Sequence, residues 1–273
     1  MRKLSILMGL LLILAVGVLP AAAITWGEPD TEHKNVGAMV VDHPGYGPFQ
    51  WCSGTLIHPR VFLTAGHCTN RLEALMAAGQ LTIEGVKVSF DPYNALDLDT
   101  MLAVEEMITH PDYNWGPYSN PRDVGVLILA EEATNITPAE LPDEGFLDKL
   151  RAEGKLRQGS KRATFTLVGY GTTLEWPPPT FISLDGKRRV AESEYQTLLK
   201  VWLRMSQNQA KDDGGTCYGD SGGPAFWTEP DGSEILVGIT SWGDTQCVAT
   251  GFNYRVDIPE TLSFINDVIT SLE

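Results

Sequence analysis

Hydrophobic residues from Val36 onward occur in short runs rather than at helical spacing. The runs are rich in β-branched residues and are interrupted by Gly, Pro, Asn and Asp, a pattern that is typical of strands joined by turns. The pattern favours an all-β architecture. The predicted strands are Val36 to Val41, Ser53 to Ile57, Val61 to Ala65, Gly125 to Leu129, Thr164 to Gly169, Leu198 to Met205, Ile235 to Ser241 and Phe252 to Val256.

Three segments depart from this pattern. Residues 131–162 are charged and weakly periodic, so we expect them to connect two halves of the chain. The sequence Trp176-Pro177-Pro178-Pro179 cannot form an interior strand and is expected to be a surface loop. After Pro259, helical spacing predicts a C-terminal amphipathic helix over 259–272. Its apolar residues are Leu262, Ile265, Val268, Ile269 and Leu272.

Residues 1–23 have the three-part pattern of a secretory signal peptide. Two basic residues precede an apolar run from Leu4 to Leu19, which is followed by Pro20 and three alanines, with cleavage expected after Ala23. A membrane anchor is the alternative, but the run is shorter than the ~20 apolar residues of a spanning helix. We therefore expect a secreted, extracellular protein that has no membrane attachment after cleavage.

Composition and charge narrow the class of protein. The 273 residues are 43% hydrophobic, which excludes a disordered or collagenous chain. The formal net charge is −15, and removal of residues 1–23 makes it −17 because Arg2 and Lys3 are the only charged residues there. Such a surface repels phosphates and anionic lipids, so neither nucleic acid nor a membrane surface is an expected partner.

The four Cys are expected to pair in an oxidising compartment, and three pairings are open. No C-x-x-C or H-E-x-x-H spacing occurs, so no metal and no cofactor is expected. The triplet Asn135-Ile136-Thr137 would accept a glycan in a eukaryotic host.

The segment with the clearest chemical signal is Gly219-Asp220-Ser221-Gly222-Gly223, a serine surrounded by glycines. Glycines let the backbone turn sharply and leave amide groups facing outward, as an exposed nucleophile beside an oxyanion site requires. An ordinary glycine-rich turn is the structural alternative. The segment also fits the G-x-S-x-G elbow of α/β-hydrolases, in which the histidine follows the serine. All five His precede Ser221, which excludes that class: His33, His43, His58, His67 and His110.

His67 stands out because an apolar strand ends there in small residues, next to Cys68. At this point the sequence resembles the trypsin/chymotrypsin family of serine proteases, whose T-A-G-H-C and G-D-S-G-G-P motifs occur intact at 64–68 and 219–224. The resemblance continues at Ser53-Gly54-Thr55-Leu56-Ile57, at His110-Pro111-Asp112-Tyr113-Asn114 and at Ser241-Trp242-Gly243. It covers nearly all of the chain after residue 23 and is weakest between Glu131 and Met205.

The candidates for the acid of a triad, if it lies between base and nucleophile, are Asp91, Asp97, Asp99, Asp112 and Asp123. Asp123 is the best candidate because it directly precedes the apolar run Val124 to Leu129 and looks like the acid of the family's D-I-A-L motif. A buried carboxylate needs partners, which an imidazole N–H and backbone donors would provide.

The resemblance implies two six-stranded antiparallel β-barrels and a C-terminal α-helix. The expected domain is 24–273, with an N-terminal barrel at about 24–140 and a C-terminal barrel at about 155–258. It implies a monomeric serine endopeptidase acting on protein or peptide substrates through His67, Asp123 and Ser221. The amides of Gly219 and Ser221 would form the oxyanion hole, and the disulfides would join Cys52 to Cys68 and Cys217 to Cys247.

The same resemblance suggests how activation and specificity arise. Cleavage after Ala23 would free Ile24, whose ammonium would insert beside Asp220. Gly215 would form the base of the primary pocket, so the aspartate of trypsin-type pockets is absent; Asp213 could replace it only through a register shift. The remaining pocket positions match Thr216, Ser241, Trp242, Gly243 and Gly251. They imply an open, uncharged slot and a medium or large apolar residue before the scissile bond. Two alternatives remain: a catalytically silent binding module on the same fold, and a secreted esterase.

Overall fold

The computed structural model describes residues 24–116, 118–159, 162–175, 180–182 and 184–272. The predicted signal peptide and the predicted Trp176 to Pro179 loop therefore lie outside the described residues. Among the described residues, no helix is long and apolar enough to cross a membrane.

The strands follow the short β-branched runs of the sequence. They are β1 (Glu28–Pro29), β2 (Val36–His43), β3 (Gly47–His58), β4 (Val61–Thr64), β5 (Val86–Ser89), β6 (Leu102–Thr109), β7 (Gly125–Leu129), β8 (Thr164–Gly169), β9 (Thr173–Glu175), β10 (Thr180–Ile182), β11 (Arg189–Leu198), β12 (Trp202–Ser206), β13 (Pro224–Thr228), β14 (Glu234–Gly243) and β15 (Thr250–Arg255). The helices in the described part of the chain are α1 (Gly66–Ala77), α2 (Phe146–Ala152) and α3 (Pro259–Thr270).

These strands close into two antiparallel barrels. The first has the order β2-β3-β4-β7-β6-β5. The second has the order β11-β12-β15-β14-β13-β8, closed by pairing of β8 with β11, and β1 adds to β11 from outside. Strands β9 and β10 form a separate two-stranded antiparallel sheet. The all-β fold of two six-stranded barrels with a C-terminal helix is confirmed.

The interiors of the barrels are apolar, as closure of a small barrel requires. Strands β4 and β7 are buried along their whole length, because one face fills the first barrel and the other packs against neighbouring elements. Helix α3 begins with Pro259 in its first turn, where the missing N–H costs nothing, and buries Phe264, Ile265 and Val268.

Two predictions about elements were incomplete. The run Leu198 to Met205 is not one strand, since β11 ends at Leu198 and β12 begins at Trp202 after a tight connection. The connecting region 131–162 contains the helix α2, which buries Leu147 and Leu150.

A buried ion pair ties the two barrels together. Arg188 directly precedes β11 of the second barrel and is 1% exposed. Its Nε donates to the carboxylate of Asp30 at 2.7 Å. Its Nη1 donates to the carbonyls of Val36 and Phe90 in the first barrel, at 3.0 and 3.2 Å. A buried guanidinium is tolerated only when paired in this way. The contact fixes how the barrels meet, and the candidate site lies along that junction.

Candidate active site

His67 and Asp123 are brought together by the first barrel. His67 lies in the first turn of α1, directly after β4, and Asp123 lies just before β7, the neighbour of β4. The His67 Nδ1 atom is 3.0 Å from Asp123 Oδ2, and the backbone N–H of His67 donates to Asp123 Oδ1 at 2.8 Å. Since a carboxylate only accepts, Nδ1 carries the proton and Nε2 is left as the basic nitrogen.

Asp123 is fully buried, and its environment keeps it ionised. Burial alone would raise its pKa, but the charge and hydrogen bond of His67 outweigh this effect and hold the pKa of Asp123 below its usual value. The hydroxyl of Ser241 also donates to Oδ2. The sequence assigned Ser241 to the pocket wall only, and this contact with Asp123 was missed.

The same pair shifts the imidazole in the opposite direction. Burial disfavours the protonated ring of His67, yet the Asp123 carboxylate more than compensates and raises the pKa of His67 above its ordinary value of 6.5. The ring is also contacted edge-on by Trp115, with centroids 5.6 Å apart. No motif pointed to Trp115, which follows the His110 to Asn114 match directly.

Ser221 lies in the loop between Cys217 and β13, facing the first barrel. Its carbonyl accepts a hydrogen bond from Ser53 N at 2.8 Å and lies 3.9 Å from Cys68 Sγ, next to His67 in sequence. Its half-buried hydroxyl forms no hydrogen bond with any protein group that the structure describes. A serine hydroxyl in this position is available to a substrate carbonyl, and catalytic hydrogen bonds are often loose before substrate binds.

The amides of Gly219 and Ser221 are the expected oxyanion donors. Within the described ranges, neither N–H donates to a protein acceptor. Gly219 has φ +95°, a conformation that favours glycine. Two free amides in one tight loop can receive a developing negative charge.

Hydrogen bonds hold the peptide groups on both sides of Gly219. The Tyr218 carbonyl accepts from Thr172 N at 2.7 Å, which turns the N–H of Gly219 in the opposite direction. The Gly219 carbonyl accepts from Gln50 Nε2 and Ser53 Oγ, each at 3.0 Å. Gln50 and Ser53 belong to β3 of the first barrel, so this loop is held across the junction of the barrels. No sequence motif indicated these contacts.

This arrangement makes Gln50 a positioning residue. Replacing it with Leu should lower kcat by about tenfold with little change in KM, less than loss of a direct oxyanion donor, because Ser53 still holds the carbonyl. Steady-state kinetics on a peptide substrate measure both constants. The matched control is Gln80→Leu on an exposed turn after α1, which should leave both constants unchanged. A raised KM with unchanged kcat would show that Gln50 acts on substrate binding instead.

Both disulfides that the resemblance implied are formed. Cys52 joins Cys68 and thereby braces the start of α1 beside His67. Cys217 joins Cys247 and crosses from the Ser221 loop to the segment after β14. Cys52 and Cys68 also lie within 4.8 Å of His67, but a sulfur in a disulfide is not a thiolate ligand, so the trio is not a metal site.

A cavity of about 250 Å³ opens beside Ser221, between the Cys217–Cys247 disulfide and β14. Four of the predicted pocket residues line it: Thr216, Ser241, Trp242 and Gly243. Gly215 and Gly251 do not. A Cβ atom on Gly215 would lie 2.2 Å from Gln207 Cγ, and one on Gly251 would lie 2.9 Å from Gln207 Nε2. The side chain of Gln207 lies against both glycines, and neither glycine contributes to the lining of this cavity.

The register shift that would place Asp213 in the pocket does not occur. Asp213 is buried, and its Oδ1 accepts from Arg162 Nη1 at 3.0 Å and from Glu194 N at 3.2 Å. Both partners lie on the β8 and β11 side of the second barrel. Asp213 is therefore not among the residues that line the cavity.

The two residues expected to act in activation are both buried. Ile24 is fully buried among apolar residues of the second barrel, and Thr25 pairs through its backbone with Gly215. Burial raises the pKa of Asp220 to about 7, although its carboxylate accepts from Cys217 N at 2.9 Å and Gly171 N at 2.7 Å. No basic side chain in the described part of the chain forms a salt bridge with Asp220.

Two closed antiparallel barrels, with a His–Asp pair from one facing a serine loop from the other, define the architecture of a chymotrypsin-like serine protease. Comparison with known proteins agrees, since the family model described as Trypsin matches residues 24–265. The chain belongs to the trypsin family.

The chain is also similar to individual proteins of this family. "Inactive CLIP domain-containing serine protease A28" of Anopheles gambiae is 31% identical over 202 residues, which is 70% of this chain and 49% of the relative. "CLIP domain-containing serine protease B15" of Anopheles gambiae is 27% identical over 78% of this chain and 62% of the relative. "Vitamin K-dependent protein C" of Mus musculus is 29% identical over 80% and 46%, respectively. The chain spans about half to three-fifths of these relatives, and one of them is named inactive.

Proposed function

We propose that this protein is a secreted serine endopeptidase that hydrolyses protein or peptide substrates. The observation that supports this most directly is the His67–Asp123 pair, with its basic Nε2, beside an unpaired Ser221 hydroxyl and two unpaired amides. An imidazole held in one tautomer, a nucleophile and oxyanion donors are the groups that acyl transfer requires.

In the proposed mechanism, Ser221 Oγ attacks the carbonyl carbon of the scissile peptide bond while His67 Nε2 takes the hydroxyl proton. The oxyanion of the tetrahedral intermediate accepts hydrogen bonds from Gly219 N and Ser221 N. Asp123 stabilises the protonated imidazole, which then gives its proton to the leaving amine. Water then attacks the acyl carbon while His67 takes one of its protons. His67 returns that proton to Ser221 Oγ as the acyl–oxygen bond breaks and the carboxylic acid leaves.

The neutral base of the cavity supports an apolar residue before the scissile bond. Asp213 does not line the cavity, and the carboxylate of Asp244, which does, already accepts hydrogen bonds from the backbone N–H groups of Val248, Ala249 and Thr250. A lysine or arginine side chain would bury its charge there without a partner, which is costly. The proposed substrates are therefore cut after uncharged side chains, by a monomer without cofactor or metal.

A catalytically silent binding module is the second candidate, and the relative named inactive favours keeping it. The test incubates the protein starting at Ile24 with an unfolded protein and maps the new termini by mass spectrometry, beside turnover of an activated ester. The proposed function predicts internal peptide cuts. Ester turnover without peptide cuts would support an esterase, whereas a folded, disulfide-bonded protein that does neither would support the silent module.

The raised pKa of His67 sets the expected pH profile. Only the neutral imidazole can take the serine proton, so kcat/KM should rise with pH and level off above the pKa of His67 in the free enzyme. Because Asp123 raises that pKa, the inflection should lie above 6.5, the ordinary value for His67. A profile of kcat/KM from pH 5 to pH 9 measures it. An inflection well below the ordinary value would contradict the stabilisation by Asp123.

We further propose that cleavage after Ala23 activates the protein. The new ammonium of Ile24 would pair with Asp220. Burial raises the pKa of Asp220 to about 7, and the positive charge of the ammonium would stabilise the ionised carboxylate against this effect. Ile24 and the paired Thr25–Gly215 backbone already lie in the second barrel. A chain starting at Ile24 should be active, and the same chain with one additional N-terminal Ala should not. Equal activity of the two would contradict the pairing.

A further inference from the structure

Gln207 is a buried polar residue that no motif of the sequence marked. It follows β12, is 1% exposed, and its side chain crosses to the Ser221 loop. The positions where Cβ atoms of Gly215 and Gly251 would stand lie 2.2 Å from its Cγ and 2.9 Å from its Nε2. Its amide therefore fills the space that these two glycines would leave open at the inner end of the cavity.

Hydrogen bonds fix the orientation of this amide. The Nε2 group donates to the Thr216 carbonyl at 2.8 Å and lies 3.2 Å from Thr216 Oγ1. A backbone carbonyl only accepts, so the nitrogen must face Thr216. The oxygen Oε1 then lies on the Gly243 side, 3.7 Å from a Cβ position on that glycine. It is buried and has no hydrogen-bond partner among the described residues.

The charged groups near this end of the cavity are already engaged. Asp213 faces Arg162, on the other side of its loop. The Asp244 carboxylate accepts from the backbone of Val248, Ala249 and Thr250, at 3.1, 2.9 and 2.8 Å. Gln207 itself is not among the residues that line the cavity, but its neutral amide lies against Thr216 and near Gly243, which are. Its acceptor oxygen is unpaired among the described residues.

We propose that Gln207 is the floor of the primary specificity pocket and limits it to short or medium uncharged side chains such as Ala, Val, Thr and Leu. This inference rests on the proposed peptidase function. Large aromatic side chains meet the Gln207 amide before they are fully inserted. Lysine and arginine find no carboxylate to pair with, and acidic side chains meet the unpaired oxygen of Gln207. The sequence suggested a medium or large apolar residue before the scissile bond. With Gln207 as the floor, the depth of the pocket sets the preference and excludes the largest side chains.

The test compares peptides that differ only in the residue before the scissile bond. For the unsubstituted chain, kcat/KM should be at least about tenfold higher after Ala, Val or Leu than after Phe, Tyr, Lys or Arg. Gln207→Ala should deepen the slot and raise kcat/KM for Phe by about tenfold. Gln207→Glu places a carboxylate at the same floor and should raise it for Lys and Arg. Gln209→Glu, an exposed residue two positions along, is the matched charge control and should change neither profile.

A second readout needs no catalysis. Benzamidine, a planar cation the size of a pocket side chain, should bind Gln207→Glu at least about tenfold more tightly than the unsubstituted chain or Gln209→Glu. Best cleavage after Phe, Tyr, Lys or Arg by the unsubstituted chain would overturn the inference, as would folded Gln207→Glu that binds benzamidine no better. Thermal unfolding identifies variants that fail to fold. In that case the substrate profile of the unsubstituted chain tests the role of Gln207. Failure of a fluorophosphonate to label Ser221 would remove the peptidase function instead, and benzamidine binding would still decide the role of Gln207.

Discussion

Replacing Ser221 with Ala is expected to lower kcat by about a million-fold, to the level that substrate binding and oxyanion donors alone provide. The hydroxyl is the only group at this position that can form the acyl-enzyme, and its loss changes nothing that holds the loop. Its carbonyl still accepts from Ser53, and the Gly219 carbonyl still accepts from Gln50. Folding and the cavity should therefore be unchanged. Single-turnover hydrolysis of a peptide ester measures the residual rate.

The matched control is Ser233→Ala, an exposed serine in the turn between β13 and β14. Its hydroxyl donates only to Asp231 in the same turn, so kcat should be unchanged. If Ser221→Ala kept activity within about a hundredfold of the unsubstituted chain, the acyl-enzyme mechanism would be wrong.

Replacing Asp123 with Asn is expected to lower kcat by about ten-thousand-fold near neutral pH. The carboxylate accepts from His67 Nδ1, from His67 N and from Ser241 Oγ, so every group facing it is a donor. An amide NH₂ in that site would confront a donor, and the imidazole would turn its proton to Nε2. That tautomer cannot take a proton from Ser221.

Asp112→Asn is the control for this substitution, because Asp112 lies in the same loop region with its side chain 71% exposed. It should leave kcat unchanged. In Asp123→Asn, the stabilisation of protonated His67 is also lost, so the remaining activity should show its inflection at lower pH. Full activity of Asp123→Asn at neutral pH would assign the acid to another residue.

One relative in the family is named inactive, so membership in the trypsin family does not by itself establish catalysis. The proposed catalysis by this chain depends on the joint presence of the His67–Asp123 hydrogen bonds, an unpaired serine hydroxyl and an oxyanion loop held by hydrogen bonds. Each of these is a property of geometry that substitution can remove separately. The silent-module alternative requires that at least one of them be unproductive.

The sequence predicted those strands and helices whose residues show a local hydrophobic pattern. The β-branched runs predicted strands such as β4 and β7, and the apolar spacing after Pro259 predicted α3, because each depends on residues close together in the chain. Helix α1 was missed. It begins after Ala65 without a side-chain cap, and four of its residues are buried by contacts with β6 and β7 rather than by a regular apolar stripe. Tertiary packing, which the sequence does not display, stabilises this helix.

The candidate site divides in the same way. His67 and Ser221 lie in short motifs whose glycines and neighbouring cysteines mark unusual backbone, so the sequence pointed to them. Gln50 and Gln207 lie in no motif. Gln50 contacts Gly219, 169 positions away, and Gln207 lies against Gly215 at the other end of its loop. These contacts exist only in the folded chain.

The central claim, that Ser221 is an activated nucleophile, is tested most directly by labelling with a fluorophosphonate. The chain starting at Ile24, folded and with both disulfides formed, would be treated with the reagent and mapped by mass spectrometry, beside its Ser221→Ala variant. We predict one label per molecule on Ser221. The Ser221→Ala variant should take up no label at this position, and the rate of labelling should be lower in Asp123→Asn. Folded, disulfide-bonded protein that takes up no label at Ser221 would contradict it.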